Sequence, residues 1–102
     1  MKKDQIERIK INENRLDNLD KIAKKLDTEL AAYEIIINDY HLLNNYYGSK
    51  SWFEDKEDYE KGIINNVKAG VLSEDAVWNL KEETDEIIKK MESIIEKLKK
   101  EN

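Results

Sequence analysis

Apolar side chains return every seven residues along most of this chain, and no proline interrupts them. One track runs through Ile9, Leu16, Ala23, Leu30 and Ile37, and a second through Leu19, Leu26, Tyr33, Tyr40 and Tyr47. Two such tracks are the a and d positions of a helical heptad. Ile6, Ile22, Ile36 and Leu43 widen the stripe, and Lys, Glu, Asp and Asn fill the faces between. The pattern predicts one helix over residues 4–46, which at ~1.5 Å per residue would be roughly 65 Å long. A helix of that kind cannot bury its own stripe, so it needs another segment or another chain. Asn44, Asn45 and Gly48 supply its stop, glycine being favoured where a chain leaves a helix in the left-handed conformation.

The last third repeats the signal. Val77, Thr84, Met91 and Leu98 form one track, Leu80, Ile87 and Ile94 the other, and a helix over 74–100 is predicted. Ser73 is placed to cap it and Leu72 to pack on Val77. Its charges run with the helix dipole: acids crowd residues 73–88 and lysines residues 89–100, so the acidic run reads as a helix start.

Residues 47–72 are too long for a hairpin turn and too apolar for a linker, so they must pack. Ser51 with Glu54 three residues later has the spacing of a capping box and predicts a short helix over 52–60, ended by Gly62. A further short turn is expected around Ile64 to Lys68. All eight aromatic residues fall between Tyr33 and Trp78, which predicts an aromatic head with aliphatic seams beyond it. The expected fold is therefore all-α: a single domain over 1–102, built as an antiparallel hairpin of two long helices with a short helical insertion packed at the turn.

The first long helix outruns the second, so Ile6 and Ile9 are expected to lack cover within the chain. That predicts a homodimer, or another helical protein, in a coiled coil at this end. Within the head, Trp52, Phe53 and Tyr59 are the residues expected to show an edge to a partner, because Trp and Tyr supply rigid contact area.

Much chemistry is excluded by composition. Without cysteine there is no disulfide, catalytic thiol or cysteine zinc site, and a single histidine cannot build a multi-histidine metal site. His41 has Asn38 three residues before it, so the Glu-x-x-His unit of di-iron bundles is missing. The acidic stretch from Glu54 to Glu60 fails the twelve-residue calcium loop: started at Asp55, Gly62 falls at the eighth place; started at Glu57, Tyr59, Lys61 and Lys68 occupy ligand positions. Three scattered glycines make no phosphate-cradling loop, and no serine sits in a glycine elbow. The formal net charge of −5 is the wrong sign for phosphate backbones, and the acids around Gly70 to Glu86 disfavour a helix-turn-helix reading. No apolar run approaches a membrane span and none follows Met1-Lys2-Lys3, so a cytoplasmic protein without cofactor, metal or small-molecule ligand is expected.

Tyr46-Tyr47-Gly48-Ser49 with Trp52, then Gly62, then Gly70-Val71-Leu72-Ser73-Glu74-Asp75 with Trp78, resemble a family of small bacterial proteins, roughly a hundred residues long, known only as a domain of unknown function. That family commonly has a proline after the aliphatic pair that here is Ile63-Ile64, where this chain has Asn65. The resemblance implies a small helical protein and no reaction, cofactor or catalytic residue. Three functional classes follow from the residues. A non-enzymatic interaction module (adaptor, inhibitor or regulatory subunit) needs only the stripe and the head. A secreted helical hairpin of the Trp-x-Gly kind fits in size, although that motif is not present as such. A small enzyme would be confined to carboxylates and tyrosines.

Overall fold

The computed structural model describes residues 2–100; the outer positions 1, 101 and 102 of the expected domain lie outside the described residues. Helix α1 spans Lys2–Tyr46, α2 Lys50–Glu60 and α3 Ala76–Lys99, with a 3-10 turn at Gly70–Leu72. The fold is all-α, with no strand among the described residues. The chain divides into two units, Met1–Tyr40 and His41–Asn102.

Met1–Tyr40 consists, over its described residues, of α1 alone, and α1 contains no buried residue. The apolar track is helical as expected, but it stays open along its whole length, not only at Ile6 and Ile9: the nine Ile and Leu side chains of the stripe, from Ile6 to Ile37 without Ile11 and Ile35, are 43–69% exposed. Side-chain order here is local. Asn12 donates to the Arg8 carbonyl at 2.9 Å and accepts from Arg15 at 3.2 Å, and Lys24 pairs with Asp20 at 2.8 Å. Such i,i+3 and i,i+4 contacts add only ~0.2–0.5 kcal/mol each to a helix.

His41–Asn102 holds the core. Gly48 adopts φ +77° after the end of α1, a left-handed turn that non-glycine residues rarely take. The chain then enters Ser49 in extended geometry, and the Ser49 hydroxyl accepts the Trp52 amide at 3.2 Å. This corrects the expected Ser51 cap: because Gly48 turns the chain early, α2 begins at Lys50 and Ser51 lies inside its first turn. The other end of α2 is a Schellman closure. Gly62 at φ +77° donates to the Tyr59 carbonyl at 3.1 Å, and Ile63 donates to the Asp58 carbonyl at 2.9 Å.

The short turn expected near Ile64–Lys68 lies instead at Gly70–Leu72. Asn66 takes φ +62°, a conformation asparagine tolerates better than most residues, and a left-handed residue there cannot continue a helical turn. The Ser73 hydroxyl accepts the Ala76 amide at 3.1 Å, as expected of a residue serving the first amides, but the N-cap position itself is Asp75, whose side chain makes no capping bond. The regular helix starts at Ala76, two residues later than predicted. Buried residues are few: Trp52 at 4% exposure, Val77 at 3%, and Thr84, whose hydroxyl donates to the Leu80 carbonyl one turn back at 2.8 Å.

Candidate interaction surfaces

Trp52 organises the second unit. From the first turn of α2 its indole Nε1–H donates to the Val71 carbonyl at 3.0 Å, tying the helix to the 3-10 turn. Tyr47 and Phe53 meet its ring edge-on, with centroids at 5.1 Å and 4.9 Å, the geometry the aromatic quadrupole prefers. The Lys56 ammonium lies 5.2 Å from the ring centroid, one turn along the helix, so its charge faces the indole. Trp52 was expected at a partner surface and is in the core, because only an inward indole reaches the Val71 carbonyl and seats both neighbouring rings.

Lys56 also reaches the segment leading into α3. Its Nζ pairs with Glu74 at 3.0 Å and, more loosely, with Glu60 at 3.9 Å. The hydrogen bond to Glu74 is the main reason that the Lys56 pKa is raised. Tyr47 donates its phenol to the Glu74 backbone carbonyl at 2.8 Å, so side chain and main chain of one residue anchor two aromatic-rich segments. On the flank, Tyr46 donates to the Asp55 carboxylate at 2.6 Å; that bond, with burial and the carboxylate's charge behind it, pushes the phenol up to about 12. Farther along α2, the Glu57–Lys61 bridge of 2.7 Å depresses the Glu57 carboxyl and raises Lys61.

Two shallow clefts border this network. One of about 190 Å³ is lined by Tyr46, Asp55, Ile64, Val67, Val71 and Leu72, and one of about 450 Å³ by Lys56, Tyr59, Glu60, Leu72 and Glu74 among others. Their polar groups pair with one another, Asp55 with the Tyr46 phenol and Lys56 with Glu74. Among the described residues no group of three or more His, Cys, Asp or Glu side chains converges to hold a metal ion. Among the described residues no helix is long and apolar enough to cross a membrane.

The other nominated residues lie at the surface. Phe53 is 59% exposed and Tyr59 41% exposed in the second unit, while Ile6 and Ile9 are exposed in the first. Trp78 is 52% exposed, since Val77 beside it takes the inward position and adjacent helical residues cannot share a face. Sequence reasoning therefore missed two surfaces: the exposed Trp78 and the open apolar stripe from Leu16 to Ile37. The second had a signal, the heptad itself, which also fits a seam closed by another chain.

Residues 9–100 match the protein family described as "Domain of unknown function (DUF4298)", and the chain belongs to that family. No curated protein and no solved structure matches it.

Proposed function

We propose that this member of the DUF4298 family is a protein–protein interaction module without catalytic activity of its own, and that its working surface is the apolar face of α1 in Met1–Tyr40. One observation supports this: the nine Ile and Leu side chains of the stripe from Ile6 to Ile37 lie exposed along a helix that buries none of its residues. Together they present on the order of 900 Å² of mostly apolar surface, more than monomeric proteins commonly leave in one patch and close to the ~800 Å² each partner contributes to a standard interface. Isolated helices are weakly stable in water and gain most of their stability from packing an amphipathic face, so a partner on this face also stabilises the helix that presents it.

The test is photo-crosslinking in cells with p-benzoylphenylalanine placed at Leu19, on the stripe, and separately at Lys21, on the polar face. Discrete protein adducts from position 19 and none from position 21 are the expected result. Equal or absent adducts at both positions would sink the interaction reading.

A further inference from the structure

We infer that the α1 stripe is occupied by a second copy of this chain, aligned parallel and in register over residues 8–40; this rests on the interaction reading above and supplies its partner. Three features carry it. The apolar surface, on the order of 900 Å² per copy, matches what a standard-size interface takes from each side.

The second feature is a single polar residue in the seam. The track of Leu19, Leu26, Tyr33 and Tyr40 extends back by one heptad to Asn12. A lone polar residue in an otherwise apolar seam favours the register that sets it against its own counterpart over those that set it against hydrocarbon. In parallel register Asn12 meets Asn12 of the second copy, amide to amide. In the antiparallel seam that matches most apolar layers, Asn12 would face Ile37 of the second copy and leave the amide against hydrocarbon. Arg15 already holds the Asn12 oxygen at 3.2 Å, so the amide is presented on this face in an ordered form.

Third, the flanking charges pair in this orientation. A parallel coiled coil sets the residue before each a position opposite the residue five places later in the other helix. Arg8 then faces Glu13 of the second copy and Arg15 faces Asp20, each pair occurring twice by symmetry. An antiparallel arrangement would instead set Glu13, Asp20, Asp27 and Glu34 along a shared flank, acid against acid. One parallel contact is repulsive, Glu29 against Glu34 of the second copy, and it offers a direct handle on the orientation.

Light scattering on the full chain over a hundredfold concentration range should move from the 12.1 kDa chain mass to twice that value. The chain lacks cysteine, so Leu26→Cys introduces a single thiol, and mild oxidation should link Leu26→Cys to itself. Glu29→Lys should tighten the dimer about five- to tenfold by turning two like-charge contacts into attractive ones. A chain at 12.1 kDa throughout overturns the inference, and so does a Leu26→Cys protein that links only to an Ala23→Cys copy, the antiparallel result. A monomer whose Leu19 position still crosslinks to a different protein removes the second copy and leaves the interaction reading standing. Absence of both signals removes both. Helicity of each variant, followed by circular dichroism at the concentration used, separates a lost interface from a misfolded chain.

Discussion

Met1–Tyr40 and His41–Asn102 are both rich in isoleucine and leucine and have opposite fates. The first unit spreads its aliphatic residues along one helical face and buries none of them, whereas the second seats Trp52, Val77 and Thr84 in a small core. What differs is turn chemistry and aromatic anchoring. Between residues 46 and 76 the chain reverses at Gly48, Gly62 and Asn66, all at positive φ, and Trp52 and Tyr47 bond to backbone carbonyls across those turns. A helix without turns has nothing of its own chain to fold back, however regular its heptad. Periodicity places an apolar face; turns decide whether the same chain can cover it.

The largest effect that would test this contrast is Trp52→Ala. Removing the buried indole should cost ~3–5 kcal/mol of stability in the second unit, measured by urea denaturation. A cost below ~1 kcal/mol would mean that the unit is not organised around Trp52. Next come the turn positions. Gly62→Ala has open space around the added methyl, so its penalty is backbone strain alone, on the order of 1 kcal/mol. Ser49→Ala should lose a comparable ~1 kcal/mol through the cap of α2, and Ser51→Ala much less, a pair of urea midpoints that decides between the two caps.

The mildest prediction is spectroscopic. Tyr46 stands at about 12 against an ordinary 10.0. A group whose folded pKa is raised contributes stability in full below its unfolded pKa. The contribution is then lost as pH climbs from 10 through 12. An ultraviolet titration of tyrosinate should therefore show a late step near 12, and Tyr46→Phe should remove it. In the first unit, Leu19→Lys in dilute, monomeric protein should shift tryptophan-detected unfolding by less than ~0.5 kcal/mol, since both tryptophans belong to the other unit.

Helix type, order and approximate bounds were legible in the sequence because they depend on periodicity and breakers: residues 4–46 were predicted for α1 against Lys2–Tyr46, and 74–100 for α3 against Ala76–Lys99. What a single sequence reads less well is the conformation of non-glycine turn residues. The left-handed Asn66 is the example, and it moved the expected turn to Gly70–Leu72. Ser49 and Ser51 both fit a cap, and only the φ of Gly48 chooses between them. Of the candidate site, Phe53, Tyr59, Ile6 and Ile9 could be read as surface residues. Trp52 could not be placed, because its burial depends on a carbonyl nineteen residues away at Val71.

The order of the two units along the chain matters during synthesis. Residues 2–40 are polymerised before any of the core-forming residues, and at ~5–20 residues per second the second unit needs roughly 3–12 s more to be made. Throughout that interval the aliphatic face has nothing downstream to fold against. Neighbouring nascent chains on one messenger present the same face, so the pairing inferred for α1 is available co-translationally, before the tryptophan core has formed.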